Sequence, residues 1–131
     1  MLKPLSPQDT TIECLGEEWR RCRSWLLPAL EHGGNTHGIV DVFDMVVDGR
    51  AQLWPGRASA AITQLIDYPR LRSCRVWLAG GELRELADEL RPAIKQWARE
   101  LGCSRVELSG RRWHRVLGEG REVFGLMVDL I

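Results

Sequence analysis

Apolar residues recur along this chain at two spacings, and the change between them marks its elements. Leu15, Trp19, Cys22, Leu26 and Leu30 fall three or four residues apart, which predicts a helix over 13–31. Arg20, Arg21 and Arg23 lie mostly off that stripe. Pro28 is expected to kink or tighten the last turns, and Gly33-Gly34 to end the helix. Residues 38–48 are rich in β-branched side chains, which favours a strand. The spacing decides for a helix: Ile39, Val42, Phe43, Val46 and Val47 follow the 3.6-residue period, with Asp41, Asp44 and Asp48 on the other side.

The pattern then shortens. Residues 51–54 read as a strand leading into the turn pair Pro55-Gly56. Residues 58–67 and 71–79 read as longer strands joined by Asp67-Tyr68-Pro69-Arg70, with Cys74, Val76 and Leu78 alternating against Arg75 and Trp77. Gly80-Gly81 precedes the strongest helical pattern, 82–101, carried by Leu83, Leu86, Leu90, Ile94, Trp97 and Leu101. Pro92 suggests a joint in it near Leu90-Arg91. A short strand over 104–109, a short helix or turn over 111–117, and a final strand over 122–130, apolar on both faces and so central, complete the chain. Residues 1–12 are expected to form an extended arm or an edge strand. The order predicts a single α+β domain over 1–131, with a mixed, mostly antiparallel sheet flanked by helices and one right-handed crossover.

Composition adds exclusions. The 131 residues carry equal numbers of acidic and basic side chains, which argues against nucleic acid as the main partner. The longest apolar run, Trp25 to Leu30, is too short to cross a bilayer, and Met1-Leu2-Lys3-Pro4 does not resemble a signal peptide, so the cytoplasm is the expected compartment. Cys14, Cys22, Cys74 and Cys103 show no C-x-x-C spacing and are expected to be buried free thiols. His32 and His37 flank Gly33-Gly34-Asn35-Thr36 with no further ligand at metal spacing, so no metal is expected.

The run Ala98-Arg99-Glu100-Leu101-Gly102-Cys103-Ser104-Arg105-Val106-Glu107-Leu108 resembles the acyl-CoA N-acyltransferase (GNAT) pattern of a helix ending at glycine and feeding the next strand. Trp113-His114-Arg115-Val116-Leu117-Gly118 resembles a shortened form of that family's last helix. Gly49-Arg50-Ala51-Gln52-Leu53-Trp54-Pro55-Gly56, Asp67-Tyr68-Pro69-Arg70 and Ser109-Gly110-Arg111-Arg112-Trp113 are similar to small GNAT-like proteins of bacteriophages and prophages. The resemblance covers about residue 13 to the end, and implies a GNAT-like sheet flanked by helices.

It also implies an acetyl-CoA site in which the turn after Ala79 offers amides to a pyrophosphate, with Gly80, Gly81 and Arg84 as its residues. The two glycines depart from the family spacing Arg/Gln-x-x-Gly-x-Gly/Ala, and Glu82 and Glu85 fall in the first helical turn, where they would repel a pyrophosphate. Such repulsion in a partly dry site costs a few kcal/mol, on the order of a hundredfold in affinity. The family's proton-donating tyrosine has no counterpart, since Tyr68, the sole tyrosine, lies in the hairpin turn. Glu107 and His114 are the candidates for proton transfer if the chain is an enzyme; otherwise Glu107 is an exposed strand residue paired with Arg105 or a neighbour, and His114 a surface histidine on a short helix.

These readings favour a catalytically degenerate GNAT-like protein without cofactor, acting through contacts with other protein subunits in a virion or its assembly. The alternative is an active acetyl-CoA-dependent N-acyltransferase on an amine. Arg105 to Arg121 holds five arginines against two glutamates. An acidic surface of Asp41, Asp44 and Asp48 could meet a basic one of Arg111, Arg112 and Arg115 in a homo-oligomer. By this reading the protein lies in the cytoplasm of a bacterial host or within the virion.

Overall fold

A computed structural model describes residues 2–8, 10–109, 121–123 and 126–131, without the side chains of 121–123 and 126. Helix α1 spans Ile12–His32, and Thr11 caps it by accepting the Cys14 N–H at its hydroxyl. Its stripe of Leu15, Trp19, Cys22, Leu26 and Leu30 is buried, and the helix runs through Pro28 to end on Gly33. Helix α2 spans Ile39–Val47, with Val42 and Val46 buried. The Asp41 carboxylate accepts the Gly38 N–H at 2.8 Å and so fixes its first turn.

Strands β1 (Gln52–Pro55), β2 (Ser59–Asp67) and β3 (Arg72–Gly81) form an antiparallel meander. The chain then turns into α3 (Leu83–Glu85), a π-helical turn (Leu86–Leu90) and α4 (Arg91–Glu100). Pro92 explains the wide turn. It offers no N–H to the Asp88 carbonyl and its ring would crowd that carbonyl, so the helix loosens one turn earlier. Strand β4 (Arg105–Leu108) follows and pairs with β3 in parallel. Strands β5 (Arg121–Val123) and β6 (Leu126–Leu130) pair with each other, giving the order β1-β2-β3-β4-β6-β5. The expected single strand over 122–130 is thus two antiparallel strands with Gly125 between them in sequence; only β6 is internal. The predicted helix or turn at 111–117 lies outside the described residues. Among residues 2–8, Leu5 makes one antiparallel bridge to Leu53 on the outer edge of β1.

The α+β architecture has three layers. Leu53, Ala60, Ile62 and Leu78 pack against α1 and α2 on one face of the sheet. Trp54, Ala61, Cys74, Val76, Val106 and Leu108 pack on the other against Leu90, Ile94 and Ala98. Cys74 and Val76 therefore face away from Leu78, contrary to the simple alternation read from the sequence. Ile62 pairs with Leu78 and Thr63 with Val76, leaving Trp77 as an extra residue in β3. This bulge reverses the side-chain direction of everything after it. Cys22, Cys74 and Cys103 are buried free thiols as expected, but Cys14 is exposed on the first turn of α1, off the apolar stripe. Burial pushes the Cys22 thiol up to about 11 and the Cys74 thiol up to about 12, so neither is a thiolate at neutral pH.

Candidate functional site

The parallel ladder between β3 and β4 is short. It begins at Ser73 opposite Arg105 and ends at Val76 opposite Leu108, while β3 continues to Gly81. Ser109 closes the ladder, donating from its backbone N–H to the Val76 carbonyl and from its hydroxyl to the Trp77 carbonyl, both at 3.3 Å. Beyond that point β3 is paired on its β2 side alone among the described residues. A cleft of about 320 Å³ opens there on the α1 face, between Trp25, Ala29 and His32 of α1 and Trp77 and Gly80 of β3. The His37 ring stands edge-on to Trp77 with centroids 4.8 Å apart. A small apolar cavity lies on the opposite face, between Val76 and Leu108 of the sheet and Leu86, Leu90 and Ile94 of the helix. Ala79 lines both.

The turn after Ala79, expected to receive a pyrophosphate, is engaged in packing. A Cβ on Gly80 would lie 1.8 Å from the Trp25 carbonyl oxygen, so glycine is required for α1 to approach the strand. Gly81 has φ +101°, and a Cβ there would lie 2.4 Å from the Ala58 carbonyl oxygen. That carbonyl accepts the Glu82 N–H at 2.9 Å. Arg84, the expected counter-charge, is 87% exposed and 3.7 Å from Asp88.

Glu85 does not project over the amides of its own helix, as its place in the first turn suggested. Its buried carboxylate reaches back to the β1–β2 turn and accepts from the Ala58 N–H at 3.0 Å and from the Ser59 hydroxyl, with Arg57 alongside. Burial pushes this carboxyl up, but these donors more than offset it and hold its pKa below the ordinary value. Glu82 is exposed.

Glu107 is not the exposed residue the sequence suggested. It is fully buried in β4. Its Oε1 accepts from Arg75 at 3.2 and 2.9 Å and from the Tyr68 hydroxyl at 3.2 Å, and its Oε2 from Arg105 at 3.1 and 2.8 Å. The Arg105 guanidinium also stands over the Tyr68 ring at 5.4 Å. Burial alone would raise the Glu107 pKa, but the surrounding donors lower it, so the carboxylate is an ionised structural acceptor. The pairing with Arg105 was expected; Arg75 and Tyr68 were missed, because only the β3–β4 register brings them to Glu107. A second unforeseen lock joins the helix to β6: Asp129 accepts from Arg91 at 2.5 Å and from Lys95 at 2.8 Å.

On α2, Asp41 serves as the cap just described, Asp48 pairs with Arg50 at 3.0 Å, and Asp44 is exposed. His114, Arg111, Arg112 and Arg115 lie outside the described residues, so the proposed meeting of acidic and basic surfaces has one described half. Among the described residues no cluster of His, Cys, Asp or Glu is placed to hold a metal ion, and no helix is long and apolar enough to cross a membrane.

Fold and cleft together define a three-layer α+β domain with a mostly antiparallel sheet, one parallel strand pair among the described residues, and a cleft along β3 beyond that pairing. Comparison with protein-family models, with curated proteins and with solved structures finds no match.

Proposed function

We propose that this chain is a GNAT-like scaffold without acyl transfer, acting through contact with other protein subunits; the resemblance to bacteriophage proteins puts that role in a virion or its assembly. One observation carries the reading: the turn that would grip a pyrophosphate is committed to internal packing. Gly80 lies against the Trp25 carbonyl, the Glu82 N–H is given to Ala58, and the only cation on the turn, Arg84, sits near Asp88 between acidic neighbours. A diphosphate would have to displace the first two contacts and overcome the charge of Glu82. The buried and ionised Glu107, ringed by two arginines, is also poorly suited to take a proton from an amine.

A second reading, an active acetyl-CoA-dependent N-acyltransferase, is favoured by the cleft that lies along β3 past its pairing with β4, next to Gly80 and Gly81. Calorimetric titration with acetyl-CoA, paired with thermal unfolding, separates the two. The scaffold reading expects no saturable heat and no rise in unfolding temperature up to about 1 mM ligand. Saturable binding in the micromolar range would overturn it.

A further inference from the structure

We infer that the open margin of β3, from Leu78 to Gly81, receives an extended peptide segment of another protein subunit by strand addition. The inference rests on the contact role proposed above and names how that contact is made.

Two observations point to a peptide. The first is the backbone. Leu78, Ala79, Gly80 and Gly81 pair with Ile62, Ala61, Ala60 and Ser59 of β2 on one side, and no described strand pairs with them on the other. The alternate N–H and C=O groups facing away from β2 are a row of donors and acceptors at strand spacing, which another extended backbone matches. The gap has defined ends: Ser109 takes the Trp77 carbonyl at one, and Glu82 turns its N–H to Ala58 at the other.

The second is the pair of cavities. Successive side chains of a strand point to opposite faces of a sheet. The cleft on the α1 face and the cavity on the helix face meet at Ala79, so a strand lying in the gap would send neighbouring side chains into each. The helix-face cavity is small and lined by Leu86, Leu90, Ile94 and Leu108, which suits a short aliphatic side chain. The α1-face cleft is walled by Trp25, Trp77 and His32 and suits a planar aromatic one. The recognised segment is therefore uncharged at its centre, with an aliphatic residue next to an aromatic one. Glu82 at the end of the gap disfavours an anionic occupant.

The test uses the full chain and a synthetic array of blocked nonapeptides, with every ordered pair of residues at two central positions of a serine–threonine host. The expected binders combine an aliphatic and an aromatic residue at those positions. N-methylation of alternate backbone amides in a binder should weaken it about tenfold in one phase, through the loss of two hydrogen bonds, and little in the other. Ala79→Leu, which crowds the meeting point of both cavities, should abolish binding. Hydrogen exchange on the unaltered chain should show new protection within Leu78–Gly81 at saturating peptide, whether or not that variant folds. The inference is overturned if no peptide binds tighter than about 1 mM. It is equally overturned if N-methylation weakens binding in neither phase, if a folded Ala79→Leu variant binds normally, or if protection appears elsewhere. The acetyl-CoA titration is read separately: absence of both ligands defeats the peptide inference alone, whereas micromolar acetyl-CoA binding defeats the scaffold reading.

Discussion

Replacing Glu107 by glutamine keeps the shape of a buried side chain and removes its charge. Two guanidiniums, Arg75 at 30% exposure and Arg105 at 23%, would then share a neutral amide in place of a carboxylate that accepts four of their N–H bonds. Breaking a fully buried ion pair from one side costs about 3–5 kcal/mol. Both arginines reach water and can partly rehydrate, so the expected cost at pH 7 is about 2–3 kcal/mol, a large share of the stability of a domain this size. At about 4 °C per kcal/mol, the unfolding temperature should fall by roughly 10 °C. Urea unfolding of both proteins across pH gives a second handle. The folded-state pKa of Glu107 lies below its unfolded value, so its contribution is complete above about pH 4.3 and is lost as pH falls through the lower, folded value. The gap between wild type and Glu107→Gln should therefore be widest near neutrality and close on acidification. A gap under about 0.5 kcal/mol at pH 7, or one that widens in acid, would refute this account of the cluster.

Gly80→Ala should destabilise by about 3 kcal/mol or more, because its methyl would meet the Trp25 carbonyl and α1 would have to move away from β3; denaturant unfolding measures the loss. Asp129→Asn should cost about 2 kcal/mol by leaving Arg91 and Lys95 without their shared carboxylate, with Lys95→Met in the same background recovering part of it in a double-mutant cycle.

Features set by local spacing were legible in the sequence. The stripe from Leu15 to Leu30 and the aspartates opposite Val42 and Val46 specify their helices within single segments, and the structure agrees with both. The meander and the following helix were legible for the same reason. What escaped depends on pairing between segments far apart in sequence. The burial of Glu107 follows from β3 and β4 lying in parallel with Arg75 opposite it, a register that neither strand encodes alone. The role of Glu85 depends on Ala58 and Ser59 standing beside the helix start. Leu78 was assigned to the wrong face because an alternating pattern cannot reveal an inserted residue. At the candidate cleft, the two glycines were visible as letters, but their partners, the Trp25 and Ala58 carbonyls, were not.

The inserted tryptophan has an effect on chain parity. With Trp77 in place, Gly80 meets the main chain of α1 and Ala79 supplies the methyl group shared by the two cavities. Were Trp77 drawn into the ladder opposite Ile62, these assignments would shift: Ala79 would stand opposite Ala60, with its methyl driven into the Trp25 carbonyl oxygen, and Leu78 would face the π-helical turn in its place. The end of β3 is thus an odd-versus-even choice, and whether one residue stands in or out of the ladder decides whether the first helix can close over the sheet.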